Sequence, residues 1–333
     1  SGAYANIGCD EPWDLGKGRA AEACAAEGKG RIFSRHVSRV AKIVRQLGKR
    51  PQYWCDPEPN EDDGLPRDLV VLIWGYEAES DLHTRAAAHR AAGREIWAAP
   101  GTSCWNSATG RSWNRRANLD HAARTPDAAG LLCTAWGDGG HRQPWPITLA
   151  GFADAAMAAW SGPGAWDDPA LGLQVFGNPE AGAWLTALGA ADAELCRGER
   201  PLRNGTAGKV LYNRNALWME METPIDRPEG VGDIPAWEEI GERLDTLQRG
   251  RPPLPSAQIS GELDFALALS RWTVDRALLR RGNLSMENRK ALAFRMVDLI
   301  ETHRHQWLAR SRYGGLEQST ARFLPHCIPE FAL

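Results

Sequence analysis

Acidic, amide and aromatic side chains follow the apolar runs in the first half of this 333-residue chain. Asp10 and Glu11 stand side by side just before Pro12, and carboxyl groups are common acids and bases in proton-transfer chemistry. The remaining candidates also stand at or just beyond the end of an apolar run: Trp54, Asp56, Trp74, Tyr76, Trp105, Asn106, Trp136 and Asp138. The chain has 15 tryptophans against 5 tyrosines and 7 phenylalanines. Indole walls with carboxylates between them suit a neutral polyol as ligand.

The elements that must position these residues alternate along the chain. Short apolar runs predict strands at 4–8, 52–56, 69–76, 95–99 and 130–136, and amphipathic patterns predict helices at 31–47, 81–92, 115–124 and 149–160. Such alternation is typical of parallel strands joined by crossover helices. No GxGxxG turn opens a helix after a strand, so a TIM-type barrel is favoured over a dinucleotide-binding fold. In that barrel the active site forms at the carboxyl ends of the strands, where the candidate residues stand.

A closed barrel needs eight strands, and five are visible. The sequence therefore predicts an α/β fold in which residues 1–162 form a partial TIM-type barrel, strands 4–8, and residues 163–333 form an α-helical C-terminal region. Its helices are predicted at 180–196, 234–248, 258–281 and 286–310, with a proline-rich linker at 251–255. Five strands leave two unpaired edges, which favour association. We expect the missing N-terminal barrel half in the same polypeptide or on another chain, or else a homo-oligomer.

Composition argues against several classes of function. The net charge is −3 with both signs interleaved, so the basic surface of a nucleic-acid-binding protein is not expected. The longest apolar stretch, residues 69–74, is too short to span a bilayer, and no signal peptide opens the chain. Seven scattered cysteines without a CxxC pair argue against a disulfide framework and favour a reducing, cytoplasmic compartment. No HExxH motif occurs, and neither a metal site nor a cofactor is expected.

Several segments resemble glycoside hydrolase family 20, the β-N-acetylhexosaminidases, in the order that the family has them. Segment 6–19, NIGCDEPWDLGKGR, resembles the fourth barrel strand with its Ile-Gly-x-Asp-Glu core. Segments 100–107, PGTSCWNS, and 134–141, TAWGDGGH, are similar to later strand ends of bacterial members. Segment 307–316, WLARSRYGGL, resembles the end of their helical region. The resemblance covers nearly the whole chain and implies a retaining exo-β-N-acetylhexosaminidase acting on N-acetylated amino-sugar glycosides.

The resemblance also implies a mechanism in which the substrate supplies the nucleophile. The 2-acetamido oxygen of the sugar attacks C1 and forms an oxazolinium-type intermediate. Asp10 would orient the acetamide group, and Glu11 would protonate the leaving oxygen and then deprotonate water. Since adjacent side chains of a strand point to opposite faces, both can reach one sugar only where the strand is ending.

The same resemblance implies roles for the aromatic residues. Trp54 and Trp74 would line the acetamide pocket, Trp136 would lie under the sugar ring, and Asp138 would bind its outer hydroxyls. The sequence departs from the family in two ways. Strands one to three, with their polar sugar contacts, are absent. The tyrosine that bonds the acetamide carbonyl has Trp105 or Asn106 in its place, with Tyr76 as the nearest other candidate.

Each assignment has a structural alternative. The Asp10–Glu11 pair could cap the following segment, Asp56 could be a solvated loop carboxylate, and His141 fits a structural hydrogen-bonding role. Core or interface packing is predicted for six other indoles: Trp97, Trp160, Trp184, Trp218, Trp237 and Trp272. The alternative for the whole chain is a non-catalytic or inactive truncated sugar-binding protein of the same fold. Gluco or galacto preference, linkage and aglycone stay open.

Overall fold

The structure, a computed structural model, describes residues 2–56, 64–198, 211–224, 230–282 and 285–328. By its contacts the chain divides into two compact units. The sheet unit comprises residues 1–100 and 118–134, and the helical unit comprises residues 101–117 and 135–333.

In the described residues of the sheet unit, five parallel strands form a curled sheet. The strands are β1 (Tyr4–Asn6), β2 (Arg50–Trp54), β3 (Val70–Trp74), β4 (Glu95–Ala99) and β5 (Gly130–Leu131). Their order in the sheet is the order of the chain, so each strand pairs with its predecessor. The prediction of parallel strands with crossover helices is confirmed.

Helices α1 (Ala21–Glu27), α2 (Lys29–Gln46) and α3 (Leu82–Ala91) belong to the sheet unit. Helix α2 forms where predicted because its apolar residues recur every three or four positions, and Phe33, Val37, Ala41 and Val44 are buried. They pack in one cluster with Tyr53, Val71, Ile73 and Ile96 of the strands. Burying a side chain such as that of Ile73 contributes about 1.5–3 kcal/mol. Helix α1 was not predicted, because its alanine-rich sequence has no apolar periodicity.

Strand β5 is shorter than predicted. Residues 132–136 do not continue the regular ladder, although Leu132 N–H donates to the Ala98 carbonyl at 2.9 Å and Thr134 N–H to the Pro100 carbonyl at 2.9 Å. Gly130 packs under Trp97, since a Cβ atom at this glycine would lie 2.6 Å from the indole ring. The chain therefore stays extended beyond β5 and reaches the carboxyl end of β4.

The boundary between the units runs through helix α4 (Ser112–Ala123), which differs from the boundary predicted at residue 162. The helical unit includes residues 101–117 and 135–162, because these residues form ion pairs and hydrogen bonds within that unit. Arg115 and Arg116 form ion pairs with the buried Asp154. Ser112 N–H donates to the Gly189 carbonyl at 3.2 Å.

In the described residues of the helical unit, nine more helices follow α4. They are α5 (Trp145–Ser161), α6 (Asp168–Phe176), α7 (Glu180–Leu188), α8 (Ala193–Cys196), α9 (Ala216–Glu222), α10 (Ile234–Arg249), α11 (Ala257–Arg281), α12 (Met286–Arg310) and α13 (Leu316–Ala321). The predicted helix 180–196 is two helices, and α6, α9 and α13 were not predicted. Helices α10, α11 and α12 form close to their predicted bounds. Side-chain caps start them: Asp233, Ser256 and Ser285 each accept the backbone N–H three residues later.

Helix α11 is the centre of the helical unit. It packs against α5, α9, α10 and α12, and Trp272 on it is fully buried. Glu220 of α9 is buried against three arginines of α11: Arg276, Arg280 and Arg281. None of the helices in the described ranges combines the length and the apolar run that crossing a bilayer requires.

The packing predicted for the tryptophans is confirmed for Trp184, Trp218, Trp237 and Trp272, which are buried. Trp97 packs edge-on to Tyr4, with ring centroids 5.0 Å apart. The prediction for Trp160 is wrong, since its side chain is 93% exposed at the end of α5. Helix α5 is apolar on nearly every side, so its sequence does not indicate which face is covered.

Candidate functional site

The chain turns sharply after β1, where Asp10 and Glu11 stand. Gly8, Cys9 and Glu11 all have positive φ angles, of 70°, 78° and 44°, a conformation that is uncommon and strained for residues other than glycine. Trp54 N–H donates to the Gly8 carbonyl at 3.0 Å and Gly8 N–H to the Asn6 side chain at 2.7 Å. Because the strand has ended, the alternation of its side chains no longer separates Asp10 from Glu11.

Both carboxyl groups are exposed in the sheet unit. Within the part of the chain that the structure describes, neither takes part in an ion pair. Burial and the negative charge of Asp10 raise the pKa of the Cys9 thiol, which therefore stays protonated at neutral pH. The turn thus presents two carboxyl groups that are not neutralised by a cation of the described chain.

Asp56 links the ends of three neighbouring strands. Its carboxylate accepts the backbone N–H of Glu11, which follows β1, and the indole N–H of Trp74 at 2.9 Å, which ends β3. Asp56 itself follows β2 and is half-buried. Both carboxylate oxygens are therefore used, so the alternative of a solvated loop carboxylate is wrong. A charged acceptor makes stronger hydrogen bonds than a neutral one, which fixes the Glu11 backbone relative to the Trp74 ring.

Arg85 of α3 hydrogen-bonds the backbone at the end of β3. The sequence did not predict this contact. The Arg85 guanidinium donates to the Trp74 carbonyl at 2.9 Å and to the Cys55 carbonyl, and it lies 5.8 Å from the Trp74 ring centroid. The first turn of a helix favours acidic residues, because the helix dipole is positive there. An arginine in the first turn of α3 is therefore unexpected, and it is the sequence signal that could have indicated a contact between Arg85 and the strand end.

The loop after β3 fixes Tyr76 beside Trp74. The two rings stack with centroids 5.4 Å apart and planes inclined by 21°. The Asn118 amide donates to the carbonyls of Gly75 and Glu77, at 2.8 and 2.9 Å. Only glycine fits at position 75, since a Cβ atom there would lie 2.5 Å from Cβ of Ser80. Tyr76 therefore widens the aromatic surface that Trp74 begins.

The sheet unit thus brings six candidate residues to the carboxyl ends of β1, β2 and β3. They are Asp10, Glu11, Trp54, Asp56, Trp74 and Tyr76. Trp54 is half-buried and joins the group through its backbone N–H on Gly8. No group of three or more His, Cys, Asp or Glu side chains among the described residues could hold a metal ion.

The other four candidates, Trp105, Asn106, Trp136 and Asp138, belong to the helical unit. Trp105 is only 1% exposed and its indole N–H donates to Asn213. No face of that ring is open to a ligand in the structure, and Asn106 next to it donates to the Asn213 carbonyl at 3.1 Å. Trp136 is half-buried, with its carbonyl bonded to the Gln143 amide at 2.9 Å, and Asp138 is exposed in a short turn.

His141 closes the turn that Asp138 begins, at a φ of 54°. Its Nδ1 lies 3.3 Å from the Gln143 amide nitrogen, which fits the structural role predicted for it. Burial lowers the pKa of His141, so its imidazole is neutral at neutral pH.

A scan against protein-family models finds no family that matches this chain, and a search of curated proteins finds no match.

Proposed function

We propose that this chain carries the catalytic half of a retaining β-N-acetylhexosaminidase that acts by substrate-assisted catalysis. Its five strands would be strands 4–8 of a TIM-type barrel, with Asp10 and Glu11 after the fourth. The observation that carries the proposal is the hydrogen-bonded link from Glu11 through Asp56 to Trp74. It joins a candidate acid to an indole at the carboxyl ends of neighbouring parallel strands, where barrels and open α/β sheets bind their substrates.

The proposed reaction has two steps, and Glu11 serves both. First the acetamide oxygen bonds to C1, the bond from C1 to the bridging oxygen breaks, and the Glu11 proton moves to that oxygen. Asp10 accepts the acetamide N–H and balances the positive charge of the oxazolinium ring. Water then bonds to C1, gives its proton to Glu11, and the ring reopens with the original configuration at C1.

Sugar binding in this proposal uses the aromatic faces of the sheet unit, with Trp54, Trp74 and Tyr76 against the acetamide group. The turn at Asp10 is exposed, which also favours association with a partner segment that supplies the missing strands. Among the described strands β1 pairs only with β2 and β5 only with β4, so the sheet has two edges to which the missing strands could add.

The test measures release of p-nitrophenol from its N-acetyl-β-glucosaminide and cleavage of N,N′-diacetylchitobiose. We expect Glu11→Gln to lower both rates by roughly 10²- to 10⁴-fold. The loss should be larger for chitobiose, because its leaving alkoxide needs a proton more than p-nitrophenolate does. Glu22→Gln is the matched control, since Glu22 is an exposed glutamate of the same unit on α1.

One observation favours the alternative, a sugar-binding protein without turnover. Asp10 and Glu11 are exposed, whereas electrostatic stabilisation of a transition state is strongest in a site that is shielded from bulk water. A parent chain that binds 2-acetamido sugars but hydrolyses none of them, alone or with its native partner, would establish this alternative. Equal activity of the parent and Glu11→Gln would exclude Glu11 as the acid.

A further inference from the structure

A cavity of about 390 Å³ lies in the helical unit, between helices α10, α11 and α12. Helix α11 packs against both α10 and α12, so it forms the floor of a groove whose walls are the other two helices. All three helices belong to one unit. The volume is within the range of about 300–1,000 Å³ that is usual for small-molecule sites. No step of the proposed hydrolysis uses this groove.

Apolar side chains from all three helices line the groove. Leu244 of α10 and Leu267 of α11 are buried, and Leu299 of α12 is half-buried. Ala268, at the middle of α11, also lines the groove and is exposed. Because its side chain is a single methyl group, it leaves space between the two walls. The groove therefore offers apolar surface to a ligand.

The two arginines that line the groove are paired with aspartates. Arg271 Nη1 lies 3.2 Å from Asp245 Oδ2, and Arg271 Nε lies 3.6 Å from Asp275 Oδ1. Arg295 Nη1 lies 2.6 Å from Asp275 Oδ2. Two guanidinium charges are therefore matched by two carboxylate charges.

Asp298 of α12 adds a carboxylate that no cation matches. It is exposed and lines the groove, and among the described residues no cationic group lies within ion-pair distance of it. Arg295, one turn before it, pairs with Asp275 of α11 instead. Arg249, at the end of α10, donates to the Thr246 hydroxyl at 3.2 Å. With Asp275 included, the groove therefore has one net negative charge.

We propose that this groove is a binding site for a small organic cation, an ammonium group on an aryl or alkyl body. The ammonium pairs with Asp298, and the body covers the leucines and Ala268. The Thr302 hydroxyl donates to the Asp298 backbone carbonyl at 2.9 Å, so it leaves the Asp298 carboxylate to the ligand. The ion pair adds to the free energy of apolar burial, whereas an anion would meet the net negative charge. The site goes beyond hydrolysis at Glu11 and does not depend on it.

The experiment is a titration of the parent chain, followed by saturation-transfer NMR, with three probes of similar size. They are phenethylammonium, phenethyl alcohol and phenylacetate, which are cationic, neutral and anionic. We expect the ammonium to bind roughly two- to fivefold more tightly than the alcohol, as a partly exposed ion pair allows, and phenylacetate to bind most weakly. Salt at about 1 M should remove the advantage of the ammonium by screening. Equal affinities of ammonium and alcohol, tighter binding of phenylacetate, or binding of none of the three would overturn the proposal.

A charge variant tests the role of Asp298. Asp298→Asn keeps the shape of the side chain and removes its charge, so it should abolish the preference for the ammonium and leave the affinity for the alcohol unchanged. Glu287→Gln is the matched control, since Glu287 is an exposed acid at the start of the same helix, and it should keep the preference. If the two variants lose the preference to the same extent, Asp298 does not bind the ammonium and the proposal is wrong.

A filling variant tests the location of the site. In Ala268→Phe the new ring occupies the space proposed for the ring of the probe, so the ammonium and the alcohol should both bind more weakly. Ala156→Phe is the control, because Ala156 is an exposed alanine of α5 in the same unit, and both affinities should stay unchanged. Thermal melting checks that each variant is folded. Unchanged binding in a folded Ala268→Phe would place the probes elsewhere and overturn the proposal.

Discussion

Carboxylates have different surroundings in the two units of the chain. In the helical unit Glu220 is buried against three arginines of α11, and Asp154 against Arg115 and Arg116. In the sheet unit Asp56 accepts an amide and an indole N–H, and Asp10 and Glu11 are exposed. The buried carboxylates Glu220 and Asp154 are therefore neutralised within the chain, whereas the exposed carboxylates Asp10 and Glu11 remain available to a ligand.

This difference separates acids that stabilise the fold from acids that could do chemistry. Removing one partner of a buried ion pair leaves an uncompensated charge in a low-dielectric interior. Removing an exposed carboxylate leaves no such charge, so its loss should affect function and hardly affect stability.

Glu220→Gln should destabilise the helical unit by about 3–5 kcal/mol, because it leaves three guanidinium groups without their shared carboxylate. Urea unfolding followed by circular dichroism measures the change in free energy. Glu238→Gln is the matched control, since Glu238 is exposed on α10. Equal stability of the two variants would contradict the structural role of Glu220.

Acidification should destabilise the helical unit through its buried histidines. Burial, with the positive charge of Arg142, lowers the pKa of His303 to about 4, and burial, with that of Arg276, lowers the pKa of His326 to about 3. Between these values and the ordinary 6.5 the unfolded chain binds more protons than the folded chain, so stability falls as pH falls. For His303 the loss between pH 6.5 and 4 is about 3 kcal/mol.

Unfolding free energies at pH 7 and pH 4.5 measure this loss. His303→Gln should flatten the pH dependence, since glutamine does not titrate. His36→Gln is the control, because His36 is an exposed histidine on α2 of the sheet unit. An unchanged pH dependence in His303→Gln would show that His303 does not contribute.

Asp56→Asn should lower the proposed hydrolysis roughly tenfold, because one of two hydrogen bonds to a charged acceptor is lost and the Glu11 backbone or the Trp74 ring shifts. The effect should fall on kcat more than on KM, and the indole N–H resonance of Trp74 should move. Asp14→Asn is the control, since Asp14 is exposed in the same unit. If the hydrolysis rates of the variants change only in proportion to their stabilities, Asp56 has a structural role and does not position Glu11.

Trp160→Gln should change the free energy of unfolding by no more than about 0.5 kcal/mol, because its indole is exposed. Thermal melting measures it. Trp272→Phe is the comparison, since Trp272 is fully buried and its indole N–H donates to the Leu292 carbonyl at 2.9 Å. A larger loss from Trp160→Gln than from Trp272→Phe would mean that another surface covers Trp160.

The sequence predicted the strands well because their apolar runs are short and end at turns, and residues 95–99 match β4. It predicted the position of Asp10 and Glu11 at a strand end for the same reason. It did not predict Arg85 on the Trp74 carbonyl or the burial of Trp105 by Asn213, because those contacts join residues far apart in sequence. Local periodicity indicates which face of a helix or strand is apolar. It does not indicate which other residues of the chain cover that face.

The sequential order of the strands has a consequence for how the sheet unit assembles. Every strand pairs with the one synthesised just before it, so pairing never waits for a distant part of the chain. The longest segment to be closed is the 43 residues between β1 and β2, and the entropic cost of closing a loop grows only slowly with its length. We expect the unit to grow by one strand and its helix at a time as the polypeptide leaves the ribosome, with the newest strand exposing a temporary edge.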